Sequence, residues 1–327
     1  DFKNLDECVL EIDPRTVTPE DMEYYLGSGI NRISFGIQDF DPQVQKAINR
    51  IQPYELIEPL VSGSLRQCSI SFDLIYGLPF CTIKSFRETF RLVKQLDPDR
   101  LAVYNYDHTP GIHKGMRAIR QENLPSLEEK TVMYVEGVTH LLNNGYEYVG
   151  VDHFAKPTDV LAKAYKNQTI WRNLNGYTTD REYNFEIGLG VSSISCFGRY
   201  YTQSIKSEQS YYQSIDRGEF PILRGIELTE DDLIRREVIM IILCHHYLEF
   251  SQIEQKYNIG FKDYFKNELL SFEELEKDGF IESGEDFLRV TGLGKIFVHH
   301  VCKSFDKYLN ENYVRTHAAI LKEQAAG

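Results

Sequence analysis

Four polar positions fall where short apolar runs end. Glu11 stands in LEIDP, Gln38 closes RISFGIQ, Asp73 sits inside SFDLIYGLP, and Asn105, Tyr106, Asp107 and His108 follow LAVY. A carboxylate among Phe72, Leu74 and Ile75 is costly to bury without a partner. Arg50, on the helical stretch after Gln38, is a natural partner for an anion in the same pocket, or for Asp73 itself. In parallel α/β sheets functional side chains collect at the carboxyl ends of strands, where the loops open on one face. Each residue alone could equally be a cap or a loop anchor, but four on one rim point to a shared pocket.

The elements that must position them are legible as periodicity. Strands are expected at Cys8–Ile12, Arg32–Ile37, Ile70–Ile75 and Leu101–Tyr106, with helices near Pro19–Leu26, Pro42–Arg50, Tyr54–Gln67 and Ile83–Leu96. Asp41 is placed to cap the second helix and Pro42 to start it. Repeated βαβ units imply parallel strands with right-handed crossovers. Four such strands cannot close a barrel, so the sheet is open or part of a barrel is missing. SLEE at 126–129 is a capping box opening a long helix that ends near Gly145. YEYVGVDHFAKP reads as a strand that breaks into a loop, NLNGYTT as a turn-rich stretch, and EIGLGVSSISCFG as a segment that lets backbone approach a ligand or packs as a tight strand.

The last hundred residues read as helical. Thr229 caps a helix running to about Tyr247, a helical pattern follows from Gly260 to Lys277, and a hairpin at 278–295 turns at Ser283-Gly284. One final helix would align Phe297, Val301, Phe305 and Leu309. Helix, helix, hairpin and helix resemble a winged-helix module.

The net charge of −13 argues against a broad nucleic-acid surface. No apolar run reaches the ~20 residues of a membrane span. The six cysteines, Cys8, Cys68, Cys81, Cys196, Cys244 and Cys302, are scattered without Cys-x-x-Cys spacing, which gives no local metal site and suggests a reducing, cytoplasmic setting. None of His108, His153, His245, His246, His299 and His300 has metal-ligand spacing; Asp152-His153 could form a rim pair. The acidic opening DFKNLDECVLEIDPR is not a signal peptide and looks like a cut end.

EIDPR (11–15), GINRISFGIQDF (29–40), NR (49–50), DLIYGLP (73–79), DPDRLAVYNY (97–106), GVDHFAKP (150–157), GYTT (176–179), GLGVSSIS (188–195) and RGIELTEDD (224–232) fall in the order seen in oxygen-independent coproporphyrinogen III oxidase. The resemblance covers essentially the whole chain, and NYDHTP and DHFAKP resemble the oxidase more than its haem-trafficking relative. It implies an α/β fold: a partial (β/α)6 barrel of the radical S-adenosylmethionine type lacking its first units, with a mostly helical, winged-helix-like C-terminal domain. The expected division is 1–112, 113–225 and 226–327.

The resemblance further implies a four-iron–four-sulfur (4Fe-4S) cluster, two S-adenosylmethionine molecules and an electron donor for the cluster. The reaction it implies is oxidative decarboxylation of two propionates of coproporphyrinogen III, giving protoporphyrinogen IX. The cluster cleaves S-adenosylmethionine, and the deoxyadenosyl radical takes a propionate hydrogen. By motif, Glu11 and Ile194 look like contacts to the cluster-bound S-adenosylmethionine. Gln38, Arg50 and Asp73 look like contacts to the second, and Asp107 occupies a further contact position where the family often has a small residue. The C-terminal segment would help cover the substrate. A monomer is expected, with no nucleic acid and no membrane.

One departure stands out. The family's Cys-x-x-x-Cys-x-x-Cys loop and its glycine-rich segment are absent, so the chain is expected to be an amino-terminally truncated copy, inactive by itself. Two other readings are a non-catalytic porphyrin- or haem-binding relative and a nucleic-acid-binding winged-helix protein, the latter disfavoured by the acidity.

Overall fold

The computed structural model describes residues 5–63, 67–180 and 185–309. The chain forms two compact units, residues 1–162 and 163–327. The expected boundaries at 112/113 and 225/226 fall inside these units.

The first unit is built on a six-stranded sheet of order β1-β2-β3-β4-β6-β5. Its strands are β1 (Val9–Ile12), β2 (Arg32–Gln38), β3 (Ser69–Tyr76), β4 (Arg100–Asn105), β5 (Glu147–Gly150) and β6 (His153–Ala155). The first four are parallel, as their βαβ connections require. The strand expected to break into a loop is instead a hairpin: Gly150 and Val151 take left-handed backbone (φ 153° and 50°), and β6 returns antiparallel beside β4.

Helices α1 (Pro19–Gly27), α2 (Pro42–Ala47), α3 (Tyr54–Val61), α4 (Ile83–Leu96) and α5 (Leu127–Asn143) complete this unit, and α6 (Val160–Lys166) leads into the second. Thr18, Thr82 and Ser126 each close a capping box, and Asp41 caps α2 through Gln43 and Val44. α2 stops before the expected Arg50 because Asn49 is left-handed (φ 55°). α3 stops at Val61, ahead of Gly63 at φ 68°, rather than running to Gln67; residues 64–66 lie outside the described residues.

Strand alternation gives this sheet two unlike faces. Ile33, Phe35, Ile37, Ile70, Phe72, Leu74, Leu101, Val103 and Phe154 are buried in the core with Phe86, Phe90 and Val93 of α4 and Met133 and Leu141 of α5. The opposite face carries Glu11, Arg32, Ser34, Gly36, Ser69, Ser71, Asp73, Arg100, Ala102 and His153, which pair across the strands in register. At the amino end of this face Glu7 bridges Arg32 (2.7 Å) and Arg100 (3.1 Å), and Arg100 also holds Asp159 at 2.9 Å. Both Arg100 and Asp159 side chains are nearly buried, so breaking that pair would cost about 3–5 kcal/mol.

The second unit holds a short hairpin of β7 (Trp171–Arg172) and β8 (Tyr177–Thr178). An antiparallel sheet follows, of order β11-β10-β9, from β9 (Ile194–Phe197), β10 (Tyr200–Ser204) and β11 (Ile222–Glu227), with α7 (Glu208–Asp216) between the last two. α8 (Glu230–His245) begins at Thr229 as expected. After it come β12 (Tyr247–Glu249), α9 (Phe250–Tyr257), α10 (Phe261–Tyr264), α11 (Phe272–Lys277), the hairpin β13 (Ile281–Ser283) and β14 (Phe287–Val290), then α12 (Gly292–Ile296) and α13 (Val298–Lys303). β12 adds a third strand to the hairpin. The single final helix is not formed: Phe297 is non-helical at ψ 27° and 42% exposed, while Val301 and Phe305 are buried. Phe305 packs with Phe261, Phe265 and Phe272 in an aromatic core.

His246 caps α8 in the left-handed conformation (φ 58°), and its ring Nδ1 lies 3.3 Å from the Tyr165 hydroxyl. Burial, then the charges of Lys295 and His245, push its pKa down to about 3 from 6.5. A depressed histidine contributes stability that is present above pH 6.5 and lost as pH falls toward 3. At pH 5 the loss should reach roughly 2 kcal/mol. His246→Asn, which tolerates the left-handed cap, should flatten that dependence. Denaturant melts of both proteins at pH 7.5 and 5 test this; equal acid sensitivity would refute it.

Candidate functional site

The site begins at a break in β2. Gly36 pairs with Asp73, but Gln38 pairs with Leu74, so Ile37 is a bulge, and Gln38 is left-handed at φ 66°. A Cβ on Gly36 would lie 2.7 Å from Gln38 Nε2 and 2.8 Å from Arg50 Nη2. Both side chains therefore lie over this glycine, and only a residue without a side chain leaves them room.

Arg50 is held in place by β2 itself. Its Nη2 donates to the Gly36 carbonyl at 2.9 Å, and its Nε donates to Gln52 Oε1 at 2.9 Å. Gln52, fully buried, donates its own amide to the carbonyls of Gly36 and Ile37. Gln45 accepts from the Gln52 N–H (3.0 Å) and donates to the carbonyls of Asp39 (3.0 Å) and Gln52 (2.8 Å). The carboxylate nearest Arg50 is Asp13 at 3.8 Å, which is committed to Arg15 at 2.6 Å. That bond to Arg15 lowers the Asp13 pKa to about 2. The ion pair between Arg50 and Asp73, open from sequence, is not made.

The Asp73 side chain has neither a hydrogen bond nor an ion pair to any described residue. Burial first, and then the charge of Glu11, push its pKa up to about 6, against the milder pull of Arg32 and Arg50. Glu11, exposed on β1, pairs in register with Ser34 one row below Asp73. Beyond Asp73 the same row continues through Ala102 to His153.

Behind this face, Asp39 anchors the loop after β2. It is fully buried and accepts from Thr89 Oγ1 (2.6 Å), the Asp41 N–H (2.8 Å) and Cys81 Sγ (3.6 Å). Desolvation raises its pKa to about 6.

At the ends of β3 and β4, Gly77 (φ 81°) makes way for the stem of Lys130, whose Nζ donates to the Tyr106 carbonyl at 2.9 Å. Burial lowers the pKa of Lys130, and the charge of Asp107 opposes this. Asp107 itself is exposed, and His108 Nδ1 meets the Tyr106 hydroxyl at 3.1 Å. Ile194 belongs to the second unit, where it opens β9 with its side chain exposed. A Cβ on Gly188 would come within 2.5 Å of the Ile194 carbonyl, so the Gly-Ser stretch wraps tightly on the start of this strand.

Gln38, Arg50 and Asp73 thus meet at Gly36, Glu11 flanks them, and Asp107 lies on the neighbouring rim. Sequence reasoning missed Gly36, Gln45, Gln52 and Lys130. The glycine inside an apolar strand was the readable signal for the first; the two glutamines act through contacts that no spacing encodes.

The described residues do not suit a 4Fe-4S cluster. Five of the six cysteines are buried, all six are free, and no group of three metal-binding side chains converges. Burial raises the pKa of Cys68 to about 11 and of Cys81 to about 12, the reverse of what a thiolate ligand needs. Polar groups suited to S-adenosylmethionine are present: an arginine fork, an amide and unbalanced carboxylates.

The chain resembles known proteins over most of its length. Residues 228–297 match the family model of the HemN C-terminal domain. Oxygen-independent coproporphyrinogen III oxidase of Escherichia coli K12 is 39% identical over 307 residues, covering 93% of this chain and 67% of that protein. The Helicobacter pylori enzyme of the same name (strain 26695) is 41% identical over 305 residues, 93% of this chain and 66% of its own length. The Thermostichus vulcanus relative is 37% identical over 318 residues, 95% of this chain and 96% of that protein. The solved E. coli coproporphyrinogen III oxidase, described as a radical SAM enzyme, superposes with a TM-score of 0.89 at 40% identity, over 93% of this chain and 70% of that one. On this likeness of sequence and fold, the chain belongs to the oxygen-independent coproporphyrinogen III oxidase family, a family of radical S-adenosylmethionine enzymes.

Proposed function

We propose that the carboxyl end of the polar sheet face is an S-adenosylmethionine site of a coproporphyrinogen III oxidase. The observation that carries this is Gly36, over which Gln38 and Arg50 converge, with unpartnered Asp73 beside it in register. The ligand's carboxylate suits the Arg50 guanidinium. Its ammonium and ribose hydroxyls suit Asp73 and the Gln38 amide. Glu11 and Asp107 are proposed as further contacts of this unit; for Ile194 a contact is proposed from the family resemblance alone. A second S-adenosylmethionine, an electron donor and a monomeric state complete the reading carried from the family.

The reaction proposed is, for each of two propionate arms of coproporphyrinogen III, transfer of one hydrogen atom to the deoxyadenosyl radical and of one electron to an acceptor, with loss of carbon dioxide, leaving a vinyl group. S-adenosylmethionine supplies, when bound, the radical chemistry of the family. What this chain's own residues do is bind and orient. Arg50 is pre-positioned by Gly36 and Gln52, so little side-chain entropy is lost when an anion docks. Because the described residues lack cluster ligands, the chain by itself is proposed to bind without turning over. The same observation favours a second reading, a non-catalytic porphyrin-binding relative.

Three measurements bear on this. Asp73 is raised from 3.8 to about 6, so its share of stability is present below pH 3.8 and lost as pH rises through 6. Asp73→Asn should therefore stabilise the unliganded protein at pH 8 by roughly 2–3 kcal/mol at most and leave it unchanged at pH 3.5. The same substitution should weaken S-adenosylmethionine binding at pH 8. A variant that is destabilised, or that binds normally, would reject the ligand role.

Arg50→Ala should lower S-adenosylmethionine affinity by on the order of tenfold to hundredfold, as expected for loss of a charge-assisted bond of about 1.5–3 kcal/mol. Isothermal titration reads the affinity. A melt on the same sample separates it from the smaller loss of the Gly36 and Gln52 bonds.

Anaerobic reconstitution of the chain with iron and sulfide should yield no stoichiometric 4Fe-4S centre. Recovery of one with S-adenosylmethionine cleavage would reject the proposed inactivity and exclude the non-catalytic reading.

A further inference from the structure

In the second unit, several arginines and lysines around α8 are matched to carboxylates among the described residues. Arg235 holds Asp231 at 2.9 Å and Glu268 at 2.7 Å, Lys256 holds Glu237 at 2.6 Å, and Arg199 faces Glu227 at 3.6 Å. Arg236 has no carboxylate partner among the described residues. Its half-buried guanidinium is held by neutral groups: Nη1 lies 3.3 Å from the Tyr201 hydroxyl and 3.9 Å from Cys196 Sγ, and Nη2 donates to the Gly198 carbonyl at 3.2 Å. It also lies over the Tyr201 ring at 5.8 Å. The group is thus fixed in direction while its charge is left unbalanced, in a chain whose net charge is −13.

Arg236 lines a cleft of about 400 Å³, within the range of small-molecule sites. Arg199, paired with Glu227, and Lys256, paired with Glu237, also line it, and Trp171 and Tyr257 supply aromatic surface. Arg172 lines a smaller adjoining cleft together with Glu186, so opposite charges are already present there.

We infer that the Arg236 cleft is an anion site that receives the carboxylate arm of an aromatic or macrocyclic acid, here a carboxylated tetrapyrrole. The choice of tetrapyrrole rests on the proposed oxidase reading; the uncompensated charge at Arg236 does not.

Trp171 is the chain's single tryptophan and lies in the wall of the cleft, so its fluorescence reports on occupancy. The probe is coproporphyrin III, the stable oxidised tetracarboxylate, titrated into the whole chain. Saturable quenching is expected, weakened tenfold or more in Arg236→Gln and partly restored in Arg236→Lys. A ring of the same size bearing only alkyl arms should not compete, and inorganic phosphate should compete weakly.

Equal coproporphyrin affinity in wild type and Arg236→Gln, with matching melts, would overturn the site. Equal competition by the alkyl ring would overturn the carboxylate assignment. Should Arg236→Gln fail to fold, Arg199→Glu on the exposed lip takes its place and must weaken binding. Arg236-dependent binding of phosphate with no saturable quenching by coproporphyrin III would overturn the tetrapyrrole assignment. None of these outcomes alters S-adenosylmethionine titration at Arg50, which tests the oxidase reading separately.

Discussion

A β-strand that bulges must find new donors for its carbonyls, and that requirement organises the candidate site. With Ile37 out of register, the carbonyls of Gly36 and Ile37 take donors from side chains: Arg50 and Gln52 for the first, Gln52 for the second. Gln52 can do this only because Gln45 fixes its backbone, and Gln45 in turn ties down Asp39. Satisfying two backbone acceptors thus brings a guanidinium to the strand end, and the missing side chain of Gly36 gives it and Gln38 room to lie there. A larger residue at 36 would displace both.

The two ends of the same sheet face resolve charge in opposite ways. At the amino end Glu7, Arg32, Arg100 and Asp159 neutralise one another at 2.7–3.1 Å. That network closes the face without needing a ligand. At the carboxyl end Asp73 is desolvated and has no bonded partner, and Glu11 makes its ionisation harder still. The fold gains nothing from that arrangement; a cationic or hydroxyl-bearing ligand would relieve it. An unliganded cost of this kind, set beside a well-paired network on the same strands, is what separates a binding site from a structural ion cluster.

Much of the first unit was legible because local signals agreed with the tertiary outcome. The expected bounds of β1 to β4 differ from the observed strands by a residue at each shifted end, since apolar alternation and flanking caps mark the same limits. Gln38 and Asp73 were placed on one rim by strand-end logic, Arg50 as a partner for an anion beside them, and the three were grouped as ligand contacts by the family resemblance. What failed depended on backbone conformation or on distant partners. The β5–β6 hairpin turns on left-handed Val151, an unfavourable conformation for a β-branched residue that no propensity anticipates. The final helix followed a four-residue spacing that Phe297 breaks. The sheet of β9, β10 and β11 was missed because all of β11 is exposed and carries no alternating burial to read.

Arg50 and Arg236 show why charge matching is more informative than charge counting in an acidic chain. Composition argued only against broad anionic partners. It could not show which half-buried cations of the second unit are already neutralised, as Arg235 and Lys307 are by Asp231. Once those pairs are set aside, both arginines are oriented by carbonyl, amide or hydroxyl groups; Arg236 has no carboxylate beside it among the described residues, and Arg50 has only Asp13 at 3.8 Å, itself bound to Arg15. A guanidinium held this way keeps donor capacity for an incoming anion without having to release a close ion pair, so its net gain on binding is larger than that of a tightly paired one. Arg235, gripped by Asp231 and Glu268, would have to break two bonds to do the same. The sequence shows RR at 235–236 as equivalent neighbours; only their partners make one a strut and leave the charge of the other without a carboxylate.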